Sequence, residues 1–468
     1  MRIILYISAA VMLMLSVACH PTGGLTPPHV AMPGRYYAGQ PDVDSLSIGM
    51  WRWWDIMSDT TLSRLVSLTL DNNRDLLRAA ARIDEVRQLY GIAKADFYPV
   101  VSARIEGDRE VKWYHYPDGS DSYSPDPQVG IKLSVGWELN LFGKLQYARK
   151  QAAADYEATV EDMYAMRMSL VAQVASTYFR LIAIDRQTAI VENTIETRRI
   201  SMGKALLRYE SGLTSRMVYD QARTEYLSAK SLLPGLRRQD MMLRDALAVL
   251  TGAYPGEMDI FGRLYLDDVM PPELPVGVPS GLLRRRPDLR ASAARLKGAE
   301  AAVGVAFADR FPSLFLNFTA GLWNVDFAGL FKSPYYYPLG GIKGDILDFG
   351  RKQRQYKASI ARYEQARIGY EQDIVNAFKE VREAVQDYGE YCDEGRQKKE
   401  LVEAAREYLR IAMLQYHAGM TSYLDVLDAQ RRLFDAQIDF TEALRDQYLA
   451  FVQLYKALGG GWEMPPES

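Results

Sequence analysis

The chain has 468 residues, and its 56 basic side chains nearly balance its 59 acidic ones, which leaves a formal net charge of -3. This balance argues against a nucleic-acid-binding protein, and no acidic tail stands out. Two cysteines, Cys19 and Cys392, are too few for a disulfide framework. Four scattered histidines argue against a histidine-based metal site, and we expect neither a metal nor another cofactor.

Residues 1–18 are typical of a bacterial signal peptide. Met1-Arg2 is positively charged, and the apolar stretch that ends at Val17 is too short to predict a membrane span. Small residues precede Cys19 as in a lipobox, although Ser16 stands where leucine is usual. We therefore expect lipidation of Cys19 and a lipidated tether at residues 19–57. The alternative is an ordinary secretory signal with an incidental cysteine.

Short motifs recur in the same order in the two halves of the chain. Arg74-Asp75-Leu76 matches Pro287-Asp288-Leu289 at an offset of 213 residues, from 287 − 74. Phe142-Gly143-Lys144 matches Phe349-Gly350-Arg351 at an offset of 207 residues, from 349 − 142. Such self-similarity predicts a duplicated architecture. Its parts are a first repeat at 58–254, a linker at 255–280, a second repeat at 281–462 and a tail at 463–468.

Each repeat is predicted to begin with a helix, at residues 60–96 and 281–310, that a proline ends. Strand pairs follow at about 99–142 and 312–349, where apolar residues such as Ile131 and Leu133 alternate with polar ones. This length and alternation are typical of membrane-barrel strands. The alternative is a half-buried strand pair in a soluble sandwich.

Two further features of the strand regions carry predictions. Residues 117–127 are interpreted as the tip of the first strand pair, because they are rich in Asp, Gly, Ser and Pro. Aromatic residues near the strand ends are interpreted as girdles at the membrane interface. These residues are Trp113, Tyr114, Tyr116, Trp323, Tyr335, Tyr336 and Tyr337.

Two stretches, 143–211 and 350–418, each run for 69 residues without a proline. At ~1.5 Å per residue they predict helices roughly 100 Å long. A helix of that length needs a partner along its length, which predicts coiled-coil packing. Cys392 falls on the apolar stripe of the second helix and is interpreted as a small core residue.

Each long helix is predicted to end at a glycine, Gly212 or Gly419, because glycine suits the left-handed position after a helix C-terminus. Thr214-Ser215 and Thr421-Ser422 are expected to cap the return helices at 214–252 and 421–458. Each repeat then forms a tight helical hairpin far from the strands.

The strand count requires an oligomer. No stretch after the signal peptide has the ~18 uncharged apolar residues of a transmembrane helix, so a spanning part would be a barrel. Four strands per chain cannot close one, since the smallest usual membrane barrel has about 8. Two copies would supply 8 strands and three copies 12, and only the wider barrel leaves room for a channel.

Six segments, taken in order, resemble the outer-membrane efflux protein family, the TolC-like ducts, in its lipoprotein drug-efflux branch. They cover about residues 45–462, and their order makes the resemblance specific. The segments are Trp137-Glu138-Leu139-Asn140-Leu141-Phe142-Gly143-Lys144, Arg286-Pro287-Asp288-Leu289, Phe311-Pro312-Ser313-Leu314, Leu347-Asp348-Phe349-Gly350-Arg351, Tyr423-Leu424-Asp425-Val426-Leu427-Asp428-Ala429-Gln430-Arg431 and Leu454-Tyr455-Lys456-Ala457-Leu458-Gly459-Gly460-Gly461-Trp462.

The resemblance implies a mainly α-helical homotrimer with a 12-stranded β-barrel in the outer membrane and a long periplasmic coiled-coil tunnel. It also implies a passive export duct for small molecules or drugs, with a periplasmic adaptor and an inner-membrane pump as partners. By resemblance, Leu424, Asp428 and Arg431 line the closed periplasmic aperture. A plain surface ion pair between Asp428 and Arg431 is the alternative.

The resemblance further implies that the hairpin tips dock the adaptor. The tip residues are Gly212, Leu213, Thr214, Ser215, Gly419, Met420, Thr421 and Ser422. Their alternative role is helix capping alone. Other functions stay open at this point: a duct for protein or metal secretion, or a lipid-anchored periplasmic scaffold. No nucleophile elbow, phosphate loop or zinc motif supports an enzyme.

Overall fold

The structure is a computed structural model that describes residues 24–29, 32–36, 47–51, 59–256, 274–277 and 279–461. The predicted signal peptide, Cys19 and the tail at 463–468 lie outside the described residues, as do Trp462 and most of the tether and linker. Lipidation of Cys19 therefore stays a prediction.

The described residues form eight α-helices and four β-strands. In chain order these are α1 (Thr60–Asn72), α2 (Arg74–Ala95), β1 (Val100–His115), β2 (Asp121–Leu139), α3 (Lys144–Glu210), α4 (Arg216–Leu250), α5 (Leu282–Arg285), α6 (Pro287–Ala308), β3 (Ser313–Asn324), β4 (Pro334–Lys343), α7 (Arg351–His417) and α8 (Tyr423–Ala457).

The duplication predicted from the motifs is confirmed by the lengths of the elements. Helices α3 and α7 each have 67 residues, α4 and α8 each have 35, and α2 and α6 each have 22. The chain also divides into two compact units, and each unit contains parts of both repeats. One comprises Met1–His29, Arg82–Thr159 and Ala291–Glu371, and the other comprises Val30–Ala81, Val160–Arg290 and Gln372–Ser468.

The strands form one antiparallel sheet in the order β1-β2-β3-β4. Its register aligns apolar residues across all four strands. Three such rows are Val101, Val135, Phe318 and Pro338; Ala103, Leu133, Ala320 and Tyr336; and Ile105, Ile131, Leu322 and Pro334. Side chains alternate between the faces of a strand, so these rows share one face of the sheet. That face is open, with Ile105 exposed over 78% of its surface.

The opposite face of the sheet is polar. Its rows include Ser102, Ser134, Thr319 and Tyr337. Lys132 Nζ lies 2.5 Å from Glu106 Oε1 on this face. The register also places Trp323, Tyr335 and Tyr337 on this polar face, so the assignment of these three to a lipid-facing girdle was wrong.

The strands differ from the predicted bounds at their outer ends. The predicted tip at 117–127 was wrong over residues 121–127, which belong to β2, and only a short turn separates His115 from Asp121. The prolines in this stretch obscured the strand. Residues 121–128 of β2 have no partner in β3, so this part of β2 is an edge strand, where proline is tolerated. Strand β4 begins at Pro334 and ends at Lys343, earlier than expected.

The first helix of each repeat is interrupted, which the sequence did not predict. Asn73 separates α1 from α2, and Arg286 separates α5 from α6, both with extended backbone. The side-chain amide of Asn73 donates to the carbonyl of Leu250, over 2.9 Å. The guanidinium of Arg286 donates to the carbonyl of Ala457, over 3.3 Å. Each break therefore contacts the end of its own repeat's return helix.

The long helices bury the predicted stripe. Val381, Tyr388 and Cys392 of α7 are buried, which confirms Cys392 as a core residue. The Gln447 amide of α8 lies 2.9 Å from the Cys392 sulfur, so this helix packs on α7. In the part of the chain that the structure describes, no helix combines the length and apolarity needed to span a bilayer.

Candidate functional site

The turns between the long helices and the return helices have the predicted backbone. Gly212 and Gly419 adopt φ of 72° and 74°. The N–H of Leu213 donates to the Arg208 carbonyl over 2.8 Å, and that of Met420 donates to the Gln415 carbonyl over 2.9 Å. These bonds satisfy carbonyls that the helix ends leave free. The glycine prediction is confirmed at both tips.

The two tips present apolar side chains to the outside. Leu213 is 69% exposed and Met420 is 77% exposed. Below them, Arg208 Nη1 of α3 donates to Tyr416 Oη of α7 over 3.0 Å, which joins the two hairpins. The tips therefore form a pair of linked turns, each with one protruding apolar residue.

The tips differ in how the return helix is capped. In the second tip, the Asp425 carboxylate accepts hydrogen bonds from the Thr421 hydroxyl and from the N–H and hydroxyl of Ser422. These bonds lower the pKa of Asp425, the Thr421 hydroxyl most of all. In the first tip, Ser215 occupies the N-cap position but its side chain makes no capping hydrogen bond, so that expectation was wrong.

The predicted aperture residues Leu424, Asp428 and Arg431 lie together at the start of α8. They line an open groove of about 670 Å³ between α8 and α4. The remaining lining residues are Arg216, Met217, Asp220, Gln221, Thr224, Glu225 and Leu427. The three predicted residues are thus brought together on one surface, and the first repeat supplies the opposite wall.

The charges on the α8 wall of this groove are paired along the helix. Asp428 Oδ1 lies 2.9 Å from Arg431 Nη2, and Asp428 Oδ2 lies 2.7 Å from Arg432 Nε. The Arg432 hydrogen bond is the main cause that lowers the pKa of the Asp428 carboxyl. The contact of Arg432 was missed from the sequence, although the spacing of four residues on a helix could have indicated it.

The two walls of the groove are equivalent positions of the two repeats. With the offset of 207 residues, Met217 corresponds to Leu424, Gln221 to Asp428 and Thr224 to Arg431. The first repeat therefore has no ion pair at these positions, and the pair on its wall is instead Arg216 with Asp220, whose Nε and Oδ2 atoms lie 3.3 Å apart. Gln221 Oε1 is buried and has no hydrogen-bond partner among the described residues.

No group of three or more His, Cys, Asp and Glu side chains is placed to hold a metal ion in the described ranges. The groove itself presents apolar side chains and ion pairs between Asp and Arg.

The sheet and the hairpins together define a class of protein. A sheet with one open apolar face suits a membrane, and four strands need further copies to close a barrel. Two helices of 67 residues, each returning through a tight turn, suit a tunnel outside the bilayer. The class is that of oligomeric membrane channels with a helical extension.

Comparison with known proteins gives the family. The family model described as "Outer membrane efflux protein" matches residues 65–253 and 278–460. The solvent efflux pump outer membrane protein SrpC of Pseudomonas putida is 31% identical over 435 residues, with 92% of each chain covered. The toluene efflux pump outer membrane protein TtgC, also of Pseudomonas putida, is 32% identical over 424 residues, covering 88% of this chain and 85% of that one. The solved structure of the outer-membrane channel OprN has a TM-score of 0.82 at 27% identity, covering 94% of this chain and 98% of that one.

The chain belongs to the outer membrane efflux protein family. It is an outer-membrane channel of an efflux pump that extends into the periplasm, and its functional form is a trimer with a 12-stranded barrel. The family consists of channels, not of enzymes.

Proposed function

We propose that the trimer is a passive export duct for small organic molecules, docked to a periplasmic adaptor and an inner-membrane pump. The names of SrpC and TtgC, which refer to solvent and toluene efflux, support this substrate class. The observation that carries the proposal is the pair of linked tips with Leu213 and Met420 exposed, because apolar side chains in water favour a partner. The pump supplies the energy, and the duct catalyses no reaction.

The groove at α4 and α8 is the proposed periplasmic aperture. Three copies would repeat Leu424 as an apolar ring and Asp428 with Arg431 as a charged ring around the axis. Rings of this kind narrow a pore and bias its ion selectivity. Residues 58–254 and 281–462 are the proposed repeats, and each would contribute one wall of the aperture in every copy.

The tips are tested by exchanging their exposed side chains. Leu213→Ser with Met420→Ser should weaken adaptor cross-linking roughly tenfold or more, because each loses an apolar contact of ~1–2 kcal/mol. Cells that carry this variant as their only copy should accumulate toluene. Met241→Ser is a matched control, since Met241 is 57% exposed on the body of α4. Unchanged cross-linking of the tip variant would exclude the tips as the docking site.

We also propose that Cys19 carries the lipid anchor. Mass spectrometry of the N-terminal peptide of the purified protein should show an acylated cysteine as its first residue. A mature chain that begins elsewhere, or an unmodified Cys19, would contradict the anchor and leave the duct proposal intact.

A further inference from the structure

The β1–β2 hairpin extends well beyond the rest of the sheet. Strand β2 pairs with β3 only from Val129 to Leu139, whereas the β1–β2 pairing continues out to His115 and Asp121. The turn that closes the hairpin is defined by hydrogen bonds, among them Tyr116 N–H to the Ser120 carbonyl at 2.9 Å. The extension is therefore a regular two-stranded ladder that ends in a closed turn.

The extension lies outside the apolar band. The band runs along β3 from Leu314 to Leu322, or roughly 27 Å at ~3.4 Å per residue. Barrel strands tilt by about 35–45°, so this length corresponds to roughly 21 Å of height, close to the ~25 Å apolar band of outer-membrane barrels. On β1 the last apolar row contains Ile105, and Trp113 follows eight residues later, roughly 27 Å farther along the strand. Trp113 is too distant for an interface girdle, so that earlier interpretation was wrong.

The outward face of the extension continues the lipid-facing face of the sheet. Alternation places Arg109, Val111 and Trp113 on the same side as Val101 and Ile105. Arg109 is exposed, Val111 is 42% exposed and Trp113 is 72% exposed. Moving outward, the face therefore passes from aliphatic residues to the cationic Arg109, then to Val111 and finally to the aromatic Trp113.

The order of these side chains matches the layers of the outer leaflet. Strand β2 ends at Leu139 and the long helix α3 begins at Lys144, so the chain leaves the sheet for its helical part at the end opposite the hairpin turn. Because the helical part of these channels extends into the periplasm, the turn faces the cell exterior. There the acyl chains of the outer leaflet end in phosphorylated sugars. The planar guanidinium of arginine binds phosphate in a bidentate manner. An indole ring offers a large flat surface with one polar edge, which suits sugar faces in a wet layer.

We propose that Arg109 and Trp113 on the outward face of the extended hairpin bind the phosphorylated sugar head group of an outer-leaflet glycolipid. Arg109 contacts the phosphates next to the acyl layer, and Trp113 stacks on sugars farther out. The binding surface continues the lipid-facing band of the sheet. One glycolipid therefore contacts the band with its acyl chains and the hairpin with its head group. The proposal rests on the membrane orientation and is independent of which compound the duct exports.

The opposite face of the same strand offers matched controls. Lys112 and Tyr114 alternate with the proposed residues, and Tyr114 is 47% exposed. The test compares Arg109→Gln/Trp113→Ala with Lys112→Gln/Tyr114→Ala in the full-length trimer. The probe is lipopolysaccharide with a complete core, in phosphatidylethanolamine vesicles. Vesicles of phosphatidylglycerol in phosphatidylethanolamine supply phosphate without sugar. Trimer content and single-channel conductance show that each variant is folded.

Wild-type trimer and the Lys112/Tyr114 variant should bind the lipopolysaccharide vesicles equally. The Arg109/Trp113 variant should bind them roughly tenfold more weakly, which corresponds to about 1.4 kcal/mol. Equal binding by both variants would overturn the proposal. Wild-type binding to phosphatidylglycerol vesicles that is as tight as to lipopolysaccharide would also overturn it, because phosphate without sugar would then suffice. If the double variant fails to assemble, Arg109→Gln alone should still weaken binding, and wild-type binding by that variant would refute the phosphate contact.

Discussion

Replacing Asp428 by alanine is expected to raise the single-channel conductance of the trimer severalfold and to shift its selectivity toward anions. The change removes the carboxylate that holds Arg431 and Arg432 at 2.9 and 2.7 Å. Each copy then carries two uncompensated guanidinium groups, and their mutual repulsion opens the proposed aperture. Conductance in planar bilayers, with the reversal potential in a salt gradient, measures both effects.

Asp439→Ala is the matched control for this experiment. Asp439 lies on the same helix and pairs with Lys398 at 2.7 Å, outside the groove. The control should leave conductance unchanged. An Asp428→Ala trimer that assembles normally and conducts like wild type would remove Asp428 from the aperture.

The same contact predicts how the wild-type channel responds to acid. The Arg432 hydrogen bond lowers the pKa of Asp428 below its usual value of about 3.9. A contact made by an ionised carboxyl is fully present above that usual pKa and is lost only as the pH falls through the lowered one. The conductance should therefore stay constant from about pH 7 to about pH 5, and acidification over that range should not reproduce the Asp428→Ala phenotype.

Arg286→Ala should lower the stability of the fold. Arg286 is only 5% exposed, and its guanidinium lies 2.6 Å from Asp288 and 2.7 Å from Glu380. Burial alone would lower the pKa of Arg286, but these two carboxylates outweigh it and the pKa is raised. The Asp288 and Glu380 side chains are 40% and 55% exposed, so water can solvate both carboxylates once the guanidinium is removed. The expected loss is therefore ~1–3 kcal/mol, which corresponds to the charged hydrogen bonds of Arg286 and the Ala457 carbonyl left without its partner. The thermal midpoint of the trimer in detergent should fall accordingly.

Arg284→Ala controls for the loss of a positive charge two residues away. Arg284 is exposed, so its removal should change the thermal midpoint little. Arg286→Lys should restore only part of the stability, because lysine cannot match the planar fork of arginine. A midpoint for Arg286→Ala equal to that of Arg284→Ala would show that the ion pairs of the Arg286 guanidinium contribute nothing net.

Those parts of the fold that depend on local pattern could be predicted from the sequence. Gly212 and Gly419 fixed the hairpin turns because few other residues adopt a positive φ without strain. The alternation of apolar and polar residues around Leu133 predicted a barrel strand, because successive side chains of a strand point to opposite faces.

The breaks at Asn73 and Arg286 were missed because their cause is distant. Each side chain contacts a carbonyl that lies more than 170 residues away in the sequence. Strand residues 121–127 were missed because their Asp, Ser and Pro content is typical of a turn. Outside the lipid a strand needs no apolar face, and cross-strand pairing alone defines it. In the candidate site, Leu424, Asp428 and Arg431 came from resemblance, whereas the wall containing Gln221 became visible only in the packed helices.

The helix breaks have a consequence for the symmetry of the assembly. Asn73 and Arg286 are equivalent positions, since 286 − 73 gives the same offset of 213. Their carbonyl partners, Leu250 and Ala457, are equivalent at an offset of 207. A trimer therefore contains six junctions of one geometry, of which three are neutral and three are ionic. The six junctions are therefore related by an approximate sixfold symmetry in position but only by threefold symmetry in chemistry. Strong acid would weaken the three arginine junctions and leave the three asparagine junctions between them intact.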